Sequence, residues 1–160
     1  MTISIISLLM VMSFNIGPSI GAFVPVQEEN GPWGTSFLFG VAARYGFSFI
    51  DLEADLQFTE MSIDPDSSRG FDYSMIPFSL GISREILGLR LGTGGALYSI
   101  EATLEADEGF SAVWKGTFPG IYLSIGKDMS LLSHVGNLSA RFNFIDFDGI
   151  WIGLSGSFFF

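Results

Sequence analysis

From residue 14 onward the apolar side chains recur at every second position, and a helical spacing of three and four is nowhere sustained. That period belongs to a strand, whose successive side chains leave on opposite faces. In one segment Ile50, Leu52, Ala54, Leu56 and Phe58 share a face while Asp51, Glu53, Asp55 and Gln57 share the other. Ile76, Phe78, Leu80 and Ile82 likewise oppose Pro77, Ser79, Gly81 and Ser83, and Leu138, Ala140, Phe142 and Phe144 oppose Asn137, Ser139, Arg141 and Asn143. The pattern loosens where Leu38 falls among polar positions and Thr93 and Gly95 among apolar ones. Near Ser99 the parity slips, which a β-bulge or the edge of the buried zone would produce. Clusters of Gly, Asp, Asn, Pro and Ser near 26–34, 64–70, 105–109 and 146–149 separate the alternating runs. Shorter connections are expected at Gly46 and Glu85–Gly88, and a long one over 127–136. The chain therefore predicts eight strands, at 14–25, 35–45, 48–61, 71–84, 89–103, 112–126, 137–146 and 150–160, in one all-β domain over 14–160.

Residues 1–13 stand apart. The run ISIISLLMVM, residues 3–12, has the length of a signal-peptide apolar core and is too short to cross a bilayer as a helix. It reads as a signal peptide, cut after Ser13 or after Gly21, or as an uncleaved leader. The α-amino group is the leader's one positive charge.

Periodicity does not say which face points inward. A soluble barrel would turn its apolar face in, and a membrane barrel would turn it out. The polar face decides between them. It is built from Gly17, Ser19, Gly21, Gly40, Ala42, Ser79, Gly81, Gly92, Gly94, Ser124, Gly153 and Ser155, whereas a solvated strand face carries Lys, Glu, Thr and Arg. Small residues suit the crowded interior of an eight-stranded barrel. Its charges come in opposite kinds, Asp51, Glu53 and Asp55 against Arg44, Arg90 and Arg141, as an enclosed space requires of ionised groups. A two-residue turn at Gly46–Phe47 would set Glu53 opposite Gly40 and Asp51 opposite Ala42. The apolar face is uncharged over the middle of the strands, as lipid demands. Phe14, Trp33, Tyr45, Tyr73, Trp114, Phe158 and Phe160 lie near strand ends, where an interfacial belt of aromatic rings is expected. The expected architecture is an eight-stranded antiparallel up-and-down transmembrane β-barrel.

An even number of strands puts both termini on one side. The four acidic segments, 26–33, 62–70, 104–111 and 146–149, then gather on the other side and carry −8 of the net −10. The rim they form contains Glu28, Glu29, Asp64, Asp66, Glu105, Asp107, Glu108, Asp146 and Asp148. Divalent cations could bridge Glu105, Asp107 and Glu108 to anionic headgroups; the alternative is a solvated acidic rim.

The last residues, WIGLSGSFFF, resemble the final strand of bacterial outer-membrane β-barrels, which alternates outward aromatic and aliphatic residues with small polar ones and ends on Phe. The segments IPFSLGISREI (76–86) and LRLGTGGALYSI (89–100) are similar to the central hairpin of small eight-stranded members of the outer-membrane protein A or X type. The resemblance implies a place in the bacterial outer membrane, contact with its lipid, and recognition by the barrel-assembly machinery through Ile152, Leu154, Phe158 and Phe160. A surface-interaction role would place its ligand at the loops.

Other chemistries find little support. Seven Lys and Arg against seventeen Asp and Glu leave no basic patch for nucleic acid. There is no cysteine. The single histidine, His134, has a serine beside it in LLSHVG, but catalytic geometry is set in space and not by adjacency, so no catalytic residue is assigned. DPDSSRG lacks the ligand ladder of a calcium loop, and GTGG precedes no helix, so neither metal nor phosphate loop is expected. No cofactor is expected. The expectation is a monomeric barrel with a packed polar lumen, not an enzyme, serving adhesion or envelope integrity. The alternatives are a small-solute channel and a soluble lipocalin-like lipid carrier.

Overall fold

The computed structural model describes residues 13–26, 36–63, 70–106, 110–131, 134–145 and 149–160. The leader reading and most of the acidic rim lie outside these residues. The strands are β1 (Ser13–Pro25), β2 (Ser36–Gly46), β3 (Asp51–Ile63), β4 (Gly70–Ile86), β5 (Leu89–Ala106), β6 (Phe110–Leu131), β7 (His134–Ile145) and β8 (Gly149–Phe159). Each pairs antiparallel with the next, and β8 returns to β1, so the sheet closes. Closure leaves no open edge across the apolar belt, the condition for strands to survive in hydrocarbon. At the seam, pairing runs from Ser19 opposite Ser157 to Pro25 opposite Trp151, and the Phe160 N–H donates to the Ile16 carbonyl at 3.1 Å. A Cβ on Gly17 would stand 1.7 Å from the Phe158 carbonyl oxygen, so this approach of β1 to β8 needs glycine.

Two connections and one strand interior differ from expectation. The β2–β3 link spans 47–50, with the Phe47 N–H donating to the Ile50 carbonyl at 2.9 Å. Its two extra residues slide the register so that Glu53 faces Arg44 and Asp51 faces Gly46, rather than Gly40 and Ala42. Most of 127–136 is strand: Lys127–Leu131 lengthens β6, His134–Gly136 lengthens β7, and pairing continues to Leu131 opposite His134. Pairing with a neighbour here overrides the local turn preference of Ser130 and Gly136. No bulge occurs at Ser99, since β4 and β5 keep one unbroken register from Ile86–Leu89 to Gly70–Glu105.

The apolar face points outward. Leu52, Leu56, Phe78, Leu80, Ile82, Leu123, Phe142 and Leu154 are all exposed, while Ser19, Asp55, Ser79 and Ser83 are buried inside. This overturns the soluble carrier with an apolar interior. Arg84 and Lys127 bound the apolar belt on the terminus side, and Glu60, Ser74, Ser99 and the Glu101–Lys115 ion pair (2.8 Å) bound it on the loop side. Along β4, Ser74 to Arg84 is ten residue steps. At ~3.3 Å per step and a tilt near 40° these rise roughly 25 Å, the height of a barrel's hydrocarbon band.

Beyond that line β3, β4, β5 and β6 continue as a sheet with reversed polarity. Glu60, Ser74, Ser99, Glu101, Lys115 and Thr117 now face outward, and Tyr73, Met75, Ile100 and Ala102 are buried on the inside. The slip of parity at Ser99 is this reversal, where the outer surface passes from lipid to water. Tyr73 therefore lies inside and not in an interfacial belt, and Trp114 is on the inward side of β6. Phe14 and Phe160 are exposed on the terminus side, and Trp33 lies outside the described residues.

Candidate functional site: lumen and loop-side rim

The interior has two storeys. The lower one, nearest the termini, gathers the charges that alternation sends inward from β2, β3, β5, β6 and β7. Arg44 donates through Nε to Glu53 and through Nη1 to Asp128, each at 3.0 Å. Arg90 donates to Asp128 from Nε (2.9 Å) and Nη2 (2.6 Å), and from Nη1 to Asp51 and to Ser83 (2.9 Å). The Ser83 hydroxyl donates to Glu53 at 2.7 Å, and Asn137 donates to Asp128 at 2.7 Å. Higher up, Arg141 donates to Ser79 (2.9 Å), stands 3.8 Å from Asp55, and lies over the Tyr122 ring at 4.3 Å. Ser19 donates to Asp55 at 3.1 Å. At the floor the Arg44 guanidinium lies 4.7 Å over the ring of Phe159.

All six charged residues marked in the sequence, Arg44, Asp51, Glu53, Asp55, Arg90 and Arg141, line this lower lumen. Asp128, Asn137 and Phe159 were missed. The signal for Asp128 was present, because Ser124, Gly126 and Asp128 continue the inward parity of β6. Three guanidiniums thus meet four carboxylates, and each charge has an opposite partner within 4 Å, which is what removal from bulk water requires. A cavity of about 30 Å³ among Glu53, Asp55, Arg90, Ser124, Ser139 and Arg141 has room for one or two waters.

The upper storey is apolar and aromatic, contrary to a lumen polar throughout. Phe23, Leu38, Tyr73, Met75, Tyr98, Ile100, Ala102, Tyr122, Ile145 and Trp151 form one buried cluster. Phe23 meets Trp151 edge-on at 6.0 Å, and the Tyr98 hydroxyl donates to Asn143 at 3.0 Å. Large side chains from β1, β2, β4, β5, β6, β7 and β8 therefore cap the charged storey.

The outer features are spread over both rims. Ile152, Leu154, Phe158 and Phe160 take the lipid-facing side of β8. Phe158 and Phe160 pack edge to face at 5.2 Å, and each lies beside the His134 ring at 5.4 and 5.3 Å, which sets His134 in an aromatic group on the terminus side. Of the acidic rim, Glu105 falls on β5 opposite Gly70, while Glu28, Glu29, Asp64, Asp66, Asp107, Glu108, Asp146 and Asp148 lie outside the described residues. Among the described residues no group of three or more His, Asp or Glu stands where it could hold a metal ion.

No family model and no curated protein sequence matches the chain. Solved structures do. The attachment invasion locus protein Ail of Yersinia pestis, in complex with the heparin analogue sucrose octasulfate, superposes with a TM-score of 0.61 at 14% identity, covering 93% of this chain and 97% of Ail. Neisserial surface protein A gives 0.57 at 13%, with 92% and 97% covered. The N-terminal β-barrel domain of Pseudomonas aeruginosa OprF gives 0.53 at 12%, with 93% and 99% covered. The outward apolar belt, the closed ladder and these superpositions agree that the chain has the fold of the small eight-stranded transmembrane barrels of bacterial outer membranes.

Proposed function

We propose that this chain is an integral barrel of the bacterial outer membrane that acts at its loop-side surface, in adhesion or envelope integrity, and neither transports nor catalyses. The observation that carries this reading is the buried aromatic cluster around Phe23, Tyr98 and Trp151, which lies across the lumen above a network of ion pairs. A blocked interior leaves the exposed rim as the part able to engage a partner. The names of Ail and of Neisserial surface protein A support a surface role by analogy of fold. The ligand need not be shared: Ail is seen with a polysulfated sugar, whereas the loop-side segments here carry −8, which repels polyanions and suits a cationic or neutral partner. In this reading Ile152, Leu154, Phe158 and Phe160 present the strand recognised during assembly.

Membrane fractionation with surface proteolysis tests the proposal. The protein should stay with the outer-membrane pellet without detergent, migrate differently on gels with and without heating, and lose its acidic loops to protease added to whole cells. Recovery in the soluble fraction, or loops protected on intact cells, would overturn it.

A further inference from the structure

Pairing between β3 and β4 stops at Asp51 opposite Ser83, whereas β4 and β5 go on pairing to Ile86 opposite Leu89. Arg84, Glu85 and Ile86 therefore have no strand partner on the β3 side. At that level β3 gives way to the β2–β3 turn, closed on itself by the Phe47 N–H and the Ile50 carbonyl. The notch between this turn and the β4–β5 hairpin holds an open cavity of about 290 Å³, near the lower end of the range for small-molecule sites. Ser48 and Phe49 line one side and Arg84 and Glu85 the other, with Arg90 and Asp51 also in the wall.

These groups differ in how far they are satisfied. Arg90 is taken by Asp51, Asp128 and Ser83, so Glu85 forms no ion pair with it although the two stand opposite each other in the ladder. Arg84, Glu85 and Ser48 make no side-chain hydrogen bond or ion pair among the described residues. A cation, an anion and a hydroxyl, all unpartnered, thus meet at one cavity. Its place on the barrel narrows what it can take. Arg84 stands at the terminus-side limit of the lipid belt, and the outward side chains of Ile82 and Leu80 lead from it along β4 into the belt. The tips on either side of the notch are apolar: Phe49 is 70% exposed, and Leu87, at a φ of 54°, is 97% exposed. Such tips suit the interfacial layer of a membrane better than open water. A ligand seated here has its polar part in the notch and its apolar part on Ile82 and Leu80.

We propose that this notch binds the phosphoethanolamine headgroup of a phospholipid, with the phosphate on the Arg84 guanidinium, the ammonium on the Glu85 carboxylate, and the acyl chains along Ile82 and Leu80. A guanidinium fork matches two phosphate oxygens. The neighbouring carboxylate repels a headgroup that carries only negative charge, and a primary ammonium brings Glu85 and Ser48 the N–H donors that a quaternary one lacks. The site lies on the rim opposite the loops, so it adds to the surface role without depending on it.

The test uses the full chain folded in dodecyl maltoside micelles, with dihexanoyl phosphatidylethanolamine as the probe and backbone amide NMR shifts as the readout. Saturable shifts are expected at residues 47–51 and 84–90 and not on the loop side. Dihexanoyl phosphatidylglycerol should bind about tenfold more weakly, and so should free O-phosphoethanolamine, which has the headgroup and no chains. Arg84→Gln should weaken binding of the probe about tenfold. Glu85→Gln should weaken it similarly while leaving the glycerol lipid unchanged or tighter, which erases the preference between the two. Lys127→Gln, on the outer face two strands away, should change nothing. All three variants should keep the heat-modifiable gel band. Equal binding of the two lipids by the unmodified protein, equal binding of the free headgroup, no effect of Arg84→Gln, an equal loss with Lys127→Gln, or no saturable shift at the notch would each overturn the proposal.

Discussion

Asp128 accepts hydrogen bonds from Arg44, Arg90 and Asn137 and so ties β6 to β2, β5 and β7 across the lower lumen. Its loss would leave two guanidiniums short of a partner. Because the carboxylate keeps about a fifth of its side-chain surface, Asp128→Ala is expected to destabilise by about 2 kcal/mol, below the 3–5 of a fully enclosed pair. Chemical unfolding in micelles checks this. On the opposite face, Leu80→Arg puts a charge midway across the lipid belt and should cost roughly 2–4 kcal/mol in bilayers, against near neutrality for Thr117→Arg beyond it. The inward charges Asp51, Glu53 and Asp55 were legible because each is flanked by strict alternation. Asp128 was hidden because Ser130 and Gly136 beyond it have the composition of a loop, and only the pairing with β7 makes them strand.

At the scale of elements, all eight strands could be read from the chain while their ends could not. Period two marks a strand wherever one face meets lipid and the other a crowded interior. It cannot mark where a strand leaves the bilayer, because β5 goes on alternating past Ser99 with its polarity exchanged. The aromatic cap was missed for the same reason: Tyr73 reads as a ring of the interfacial belt and the slip near Ser99 as a bulge or the edge of the buried zone, whereas Tyr73, Tyr98 and Ile100 belong to a second pattern of opposite sense. The seam between β1 and β8 gives a sharp check. Gly17→Ala would drive a methyl group into the Phe158 carbonyl, and the expected result is a loss of about 3 kcal/mol, read as a lower temperature for the loss of the folded gel band. Gly95→Ala, where the nearest atom is 3.8 Å away, should leave that temperature unchanged.

For the whole molecule, the two storeys bear on conduction. Ions would have to pass both a paired charge network and a cluster of aromatic rings, so planar-bilayer recordings should show no steady current. Arg90→Ala alone should still show none, because Tyr98 and Trp151 remain in place above it; steady current through the unmodified protein would refute the capped lumen. The two ends of the lipid belt also differ in kind. On the loop side Glu101 and Lys115 pair with each other across neighbouring strands, and submerging them would strand both charges in oil. On the terminus side Arg84 and Lys127 are long, flexible and able to reach for headgroups. The barrel thus floats with one hard shoreline and one soft one, and a thicker or thinner membrane would be accommodated on the terminus side, leaving the loop-side rim at a constant height above the bilayer.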